Sequence, residues 1–366
     1  MKKVTVGIMG SGAIAPSYLR NLKSHFAGTV EVLACADAVA ESATKIAREF
    51  SVSRAVTPAE LLEDPSIELI INLTPAPAHH EVSLSILRAG KHLFSEKPLA
   101  LSLDQGRELV TLAASRKLSI GGAADTFLGA GGQLARKLVD DGRIGTPIAA
   151  QAIFGADVCD SERYHQVYRG ALLDLGPSYL TALVNILGPI TRVSSAAEIR
   201  FKEKPHPLNG PDAGKTFAVD FPTTISAAVD FADGSVGSII ASCDLHNYFP
   251  RVEIFGRTGS ITLSDANRYS ARVTVRTNDG EESFDLPPGF RELGRGLGVA
   301  EMAVALRENR APRASGDLMF HILEASLAVH TSSPANRHVA VASRVERPAV
   351  FDYASLPAPP ASAAKT

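Results

Sequence analysis

The sequence predicts a doubly wound α/β domain followed by an α+β domain, and three observations carry that expectation. The 366 residues exceed what one hydrophobic core usually organises, and a hydrophobic content of 45% is enough to bury a core in each of two domains. The first third alternates short apolar runs with helical patterns. Beyond about Ala124 that alternation gives way to strand-like segments joined by glycine turns.

Taken in order, VTVGIM leads to a helix from about Ile14, VEVLACAD to one from about Val39, ELIINLT to one from about His80 and KHLFSE to one from about Leu103, before LSIGGAA closes the series. Strands that read as near-continuous apolar runs between helices belong to a parallel sheet covered on both faces. Residues 1–123 are therefore expected to form the first domain. In the second, 124–350, helices are expected over Gly131 to Asp140 and about Ala171 to Leu187. TTISAAVDF, GSVGSIIASC, RVEIFG, GSITLSD and ARVTVRT then read as an antiparallel meander, with turn signals at Asp233-Gly234, Thr258-Gly259 and Asp279-Gly280. Helices from about Gly298 to Arg307 and Asp317 to Thr331 follow, and the proline- and alanine-rich residues 351–366 are expected to be a flexible tail.

Lysine and arginine total 37 against 39 acidic residues, so no global field draws nucleic acid or an anionic membrane surface. No apolar stretch approaches the roughly 20 residues of a membrane span, and MKKVTVGIMGSG starts like a signal peptide but reaches glycine-rich sequence after only a few apolar residues. A cytoplasmic protein acting on a small ligand is expected. Cys35, Cys159 and Cys243 stand isolated, which suggests buried free thiols, and no clustered donor set points to a metal.

Gly10-Ser11-Gly12-Ala13-Ile14-Ala15 fits G-x-G-x-x-A between the first strand and the first helix. Glycines there permit a tight turn and the close approach of a pyrophosphate, whose charge the helix N-terminus stabilises. Asp37 ends the second strand, where the ribose-binding acid of a dinucleotide fold belongs. No arginine stands beside it to hold a 2′-phosphate, so NAD is expected as cofactor, with NADP left open.

GKHLFSEKPLA, Gly90 to Ala100, resembles the signature of the Gfo/Idh/MocA oxidoreductases, in which E-K-P follows the fifth strand. The glycine loop, Asp37, NLTPAPAHH (Asn72 to His80) and the D-x-G at Asp174 agree with it, and the resemblance covers essentially the whole chain. It implies a Rossmann N-terminal domain and an α+β C-terminal domain with a large, mostly antiparallel open sheet that often builds a homodimer or homotetramer. It further implies NAD(P)-dependent hydride transfer to or from a sugar, cyclitol or related polyol, a cofactor-lining place for Thr74, Pro75, His79 and Glu96, and a cis Lys97-Pro98 bond. Lys97 also makes physical sense: it lies past the carboxyl end of a parallel strand, the edge where open α/β sheets bind ligands, and its ammonium can hold cofactor and polarise a reacting oxygen.

DLGPSYL, Asp174 to Leu180, departs from the family pattern. Relatives carry His or Tyr four residues after the Asp, on the same helical face, as proton carrier. Here that position is Ser178, and a hydroxyl is a poor acid or base near neutral pH. Three readings stay open: Tyr179 takes the role after the Gly176-Pro177 pair turns the helix start by about 100°; Lys97 carries the proton, helped by a water or by His165; or catalysis is lost or altered. Asp174 is expected to contact substrate or orient the proton carrier. Asp125 and Thr126, where the chain leaves the first domain, are expected substrate contacts alongside His165. His246 and Thr224 are expected to pack on sheet faces, and His321 and His330 to be core or interface residues.

The leading expectation is thus a cytoplasmic NAD-dependent dehydrogenase or reductase of CH-OH groups. Two others remain: a cofactor-retaining NAD-dependent glycosidase or isomerase, and an NAD-binding regulatory protein without turnover, which the missing residue at 178 supports. The loop from Asp157 to Arg169, with Arg163, Tyr164 and His165, suits a hydroxylated or carboxylated ligand.

Overall fold

The computed structural model describes residues 2–155, 162–168, 170–206, 210, 212–245, 250–286 and 293–357, with side chains omitted at 163, 164 and 166. They form two compact units interleaved along the chain: Met1–Gly129, Glu292–Phe320 and Pro348–Thr366 in one, Ala130–Arg291 and His321–Arg347 in the other.

The first unit holds β1 (Val4–Met9), α1 (Ala15–Lys23), β2 (Val30–Ala36), α2 (Ala40–Glu49), β3 (Arg54–Val56), α3 (Pro58–Glu63), β4 (Leu69–Asn72), α4 (His79–Arg88), β5 (His92–Ser95), α5 (Leu103–Ser115) and β6 (Ile120–Gly122). Its six strands are all parallel in the order β3-β2-β1-β4-β5-β6. Chain order reverses between β1 and β4, and such a switch point opens the crevice in which open α/β sheets take ligands. Gly10, leaving β1 at a φ of +104°, lies against the start of the turn after β4: a Cβ there would stand 2.7 Å from the Leu73 carbonyl carbon.

A single boundary at 123/124 misses the return of the chain to this unit. Gly121 of β6 leaves the room that Met302 fills, since a Cβ on Gly121 would come within 2.7 Å of the Met302 sulfur. The segment beyond Pro348 also belongs here. Phe351 is buried, with Arg313 stacked over its ring at 5.3 Å and Tyr353 edge-on at 4.8 Å, and the Tyr353 hydroxyl donates to the Leu128 carbonyl. The expected flexible tail therefore does not begin at 351; residues 358–366 lie outside the described ones.

The second unit contains α6 (Ala130–Asp140), β7 (Pro147–Gly155), α7 (Glu162–Tyr168), α8 (Ala171–Asp174), α9 (Gly176–Leu187), β8 (Ile190–Glu198), β9 (Glu203–Pro205), β10 (Thr216–Ala218), β11 (Thr224–Phe231), β12 (Val236–Ser242), β13 (Arg251–Gly256), β14 (Gly259–Leu263), β15 (Val273–Thr277) and β16 (Gly280–Phe284). Then come α10 (Leu297–Arg307), which belongs to the first unit, α11 (Gly316–Ala335) and β17 (Val339–Ala340). Nine strands run β16-β15-β14-β13-β7-β12-β11-β8-β17, antiparallel except for the β7–β12 pair. The expected meander is there, but its centre is β7. That strand, PIAAQAIFG, is alanine-rich and weak in β-propensity, and its neighbours on both sides lie far along the chain.

No described helix is long and apolar enough to cross a membrane, and no three His, Cys, Asp or Glu side chains among the described residues group as a metal site. Cys35 and Cys243 are buried thiols, and burial pushes Cys35 up to about 12. Cys159 and His246 lie outside the described residues.

Candidate active site

The glycine loop of the first unit has the properties a dinucleotide needs. α1 starts at Ile14 with no side-chain cap, and the N–H groups of Gly12, Ala13 and Ile14 have no partner among the described residues. No atom lies within 4 Å of where a Cβ on Gly12 would stand, so the helix N-terminus faces open space. Unsatisfied donors beside such space suit a pyrophosphate. Asp37 is half-buried and fixes the loop: Oδ2 accepts the Ser11 N–H at 2.7 Å and Oδ1 the Val39 N–H at 2.9 Å.

Asn72, fully buried at the end of β4, orders the neighbouring turn. Its Oδ1 accepts the Thr74 N–H at 3.1 Å and the Thr74 hydroxyl at 2.6 Å, and its Nδ2 donates to Ser83 and to the His79 carbonyl. Pro75 is exposed beside it. His79 joins this turn to the E-K-P segment, with Nδ1 2.7 Å from the Pro98 carbonyl and Nε2 2.7 Å from the Thr74 carbonyl. Burial holds the His79 pKa below the ordinary imidazole value, although both carbonyls favour the protonated ring.

Lys97 follows β5, is half-buried, and precedes a cis peptide bond to Pro98. Its main-chain N–H donates to Glu96 Oε2 at 3.1 Å, while Glu96 Oε1 accepts the Tyr18 hydroxyl at 2.9 Å and Arg295 Nη1 at 2.8 Å. Gly10, Thr74, His79, Pro98, Lys97 and Glu96 therefore form one continuous set of contacts along the carboxyl edge of β1, β4 and β5.

In the second unit Asp174 ends α8 and is buried, and the turn at Leu175 separates it from α9 without leaving helical backbone angles. Ser178 is buried and donates through Oγ to Asn267 Oδ1 at 2.8 Å, a residue with no sequence signal. Tyr179 is corrected to a core residue: it is 0% exposed, its ring stacks on Phe154 at 4.3 Å, and its hydroxyl donates to Asp265 at 2.8 Å. The Gly176-Pro177 pair does not turn it outward. His165, 2% exposed, lies against Phe217 and Phe221, with ring centroids 5.2 Å away in each case.

One further expectation changes. Asp125 is fully buried and accepts the Gly298 N–H at 2.8 Å, so its carboxylate serves the first turn of α10 instead of a substrate. Thr126 is buried, with its hydroxyl unbonded among the described residues. Both ring nitrogens of His79 and both oxygens of Glu96 are engaged within the protein, so these residues shape the cofactor side from behind. Tyr18 and Arg295 carry no signal in the sequence; Arg295 is 199 residues from Glu96, a pairing no local pattern announces.

A glycine loop on a helix N-terminus, an acid at the end of the second parallel strand, and a lysine at the carboxyl edge of the same sheet define a dinucleotide-dependent oxidoreductase. Comparison with known proteins agrees. Residues 4–121 match the family model described as "Oxidoreductase family, NAD-binding Rossmann fold", and residues 133–262 match that of the GFO/IDH/MocA C-terminal domain. The chain belongs to the Gfo/Idh/MocA family of NAD-dependent oxidoreductases. It is 23% identical to levoglucosan dehydrogenase of Pseudarthrobacter phenanthrenivorans over 81% of each chain. To scyllo-inositol 2-dehydrogenase (NAD(+)) of Bacillus subtilis it is 27% identical, over 79% of this chain and 81% of that one. The solved apo form of levoglucosan dehydrogenase shares the fold, with a TM-score of 0.82 and 21% identity over 94% of this chain and 100% of that one.

Proposed function

We propose that the protein is a cytoplasmic NAD-dependent dehydrogenase of a sugar, cyclitol or related polyol, with Lys97 as the group that holds and moves the hydroxyl proton. Relatives named for levoglucosan and scyllo-inositol support that substrate class. The single observation that carries the lysine's role is its place: half-buried, just past β5, and fixed through Glu96 on one side and through the Pro98–His79 bond on the other. Bound NAD would accept or return the hydride. Gly12, Ala13 and Ile14 would take its pyrophosphate and Asp37 its adenosine ribose, with Thr74 and Pro75 lining the turn beside it. The Lys97 amine would accept the hydrogen of the reacting hydroxyl, take up its proton as the carbonyl forms, and then donate to the carbonyl oxygen. Asp174 would accept hydrogen bonds from ring hydroxyls, a role that rests on its place in the D-x-G motif.

Burial of Tyr179 and the enclosure of His165 by aromatic rings leave neither to share that proton. A panel of sugars and cyclitols with NAD, followed at 340 nm, tests the reading. Lys97→Met should lower turnover by about a hundred- to ten-thousand-fold. Undiminished turnover in that variant would remove Lys97 from the chemistry.

We also propose a homo-oligomer built on the outer sheet face. Val236, Ala149 and Phe255 stand side by side across β12, β7 and β13, and Val236 and Phe255 are 51% and 37% exposed. Their apolar side chains fit a second copy of the chain. A monomer in sedimentation at micromolar concentration would exclude it.

A further inference from the structure

We propose that Tyr18 and Arg295 are positioning residues for Lys97, acting through the Glu96 carboxylate; the inference rests on the reading of Lys97 given above. One carboxylate ties three segments together. Oε1 receives the Tyr18 hydroxyl at 2.9 Å and the Arg295 guanidinium at 2.8 Å, and Oε2 receives the main-chain N–H of Lys97 itself at 3.1 Å. The Glu96 and Arg295 side chains are only 10% and 29% exposed. Charge-assisted bonds shielded from water on the carboxylate side hold a definite geometry, whereas fully exposed ion pairs average over many.

Arg295 is itself placed by α1. Asn21 Nδ2 donates to the Arg295 carbonyl at 2.8 Å, and Gly296 follows at a φ of +102°, packed so that a Cβ would sit 3.1 Å from Leu22. Tyr18 and Asn21 are three residues apart and share a helical face. Tyr18 is fully buried, edge-on to Phe94 at 6.3 Å, and burial raises its pKa well above the usual phenol value, so the hydroxyl remains a donor. The helix whose N-terminus opens the glycine loop therefore supplies both the direct donor to Glu96 and the anchor for the guanidinium. Cofactor loop and lysine are registered against each other through Glu96, although neither Tyr18 nor Arg295 has a part in the chemistry. A reacting group moved by about 1 Å commonly loses on the order of a hundredfold in rate.

The test uses the full chain, NAD, and levoglucosan or scyllo-inositol as probe substrates, with NADH binding followed by fluorescence. Arg295→Met should lower kcat by about a hundredfold and Tyr18→Phe by about tenfold, with NADH affinity nearly unchanged because the glycine loop is intact. The pH at which kcat/KM is half-maximal should move by about half a unit or more, since the lysine's surroundings change. Arg295→Lys, which restores a cation opposite Glu96, should recover much of the loss. Wild-type kcat and pH profile in both variants, accompanied only by a lower melting temperature, would overturn the proposal and leave the knot a structural one. If Arg295→Met does not fold, Tyr18→Phe decides alone, since it removes one hydrogen bond and no charge. Retained turnover in Lys97→Met would instead sink the reading of the lysine, whatever the Arg295 variants do.

Discussion

Replacing Gly10 and Gly12 by alanine, one at a time, separates what the loop needs in order to fold from what it needs in order to bind. At Gly10 the φ of +104° lies where an L residue is strained, at about 1–3 kcal/mol. The added Cβ would also stand 2.7 Å from the Leu73 carbonyl carbon, about 0.7 Å inside the 3.4 Å at which ordinary contact begins. That backbone has little room to yield, because the Leu73 N–H is bonded to the Met9 carbonyl at 2.8 Å and the Thr74 N–H to Asn72 at 3.1 Å. Gly10→Ala should therefore destabilise the protein by about 2–4 kcal/mol, strain and clash together, and lower its melting temperature by several degrees.

Gly12→Ala meets nothing within 4 Å. Its melting temperature should match the wild type, yet NADH affinity should fall at least about tenfold, or about 1.4 kcal/mol, because the methyl takes space that a pyrophosphate must enter. Thermal melts and an NADH fluorescence titration on both variants read the two quantities separately. Wild-type NADH binding in Gly12→Ala would refute the assignment of the helix N-terminus to the pyrophosphate. An unchanged melt in Gly10→Ala would refute the strain and clash together.

Asp37→Asn keeps an acceptor for one of the two loop N–H groups while removing the charge, so relative affinity for NADP over NAD should rise by about tenfold; an unchanged ratio in parallel titrations would take Asp37 out of cofactor selection. Ser178→Ala should leave kcat within about threefold, since Ser178 is tied to Asn267 and contributes no group that titrates near neutral pH; a hundredfold loss would return it to the catalytic set. His321 makes a pH prediction. Its Nε2 accepts the Ile190 N–H at 3.1 Å, a bond the protonated ring cannot make, and burial lowers its pKa from 6.5 to about 4. The unfolded chain then binds more protons between those values, so this contribution is fully present above pH 6.5, falls by about 3 kcal/mol as pH drops to 4, and changes no further below. Urea denaturation across that range should show a shallower acid limb in His321→Gln, and identical limbs would disprove the assignment.

The parallel sheet was legible because β1, β2 and β4 are short, mainly apolar runs set between helical patterns, the form that a doubly covered sheet takes. β3 is three half-exposed or exposed residues and gives no such signal. The glycine loop and E-K-P were legible for a related reason: their chemistry sits in consecutive residues. Side-chain destinations were not. DLGPSYL places Asp174, Ser178 and Tyr179 near one another in sequence, but only the packing against Phe154 decides that Tyr179 belongs to the core. Asp125 reads as a polar residue at a domain exit and is taken by Gly298, which lies 173 residues away.

These long-range partners bear on how the chemistry is distributed. A family member with a titratable residue at 178 can divide proton handling between that residue and the lysine. Here Ser178 is bonded to an amide, Tyr179 is enclosed in the core and His165 lies against two aromatic rings, and on the reading proposed above the load is assigned to Lys97. A lone acid–base group has to meet the reacting oxygen without a second group to correct a poor approach, and the tolerance on its position narrows. The same lysine is the residue whose main chain is held by a carboxylate that three segments share, with His79 fixing the next carbonyl in the chain.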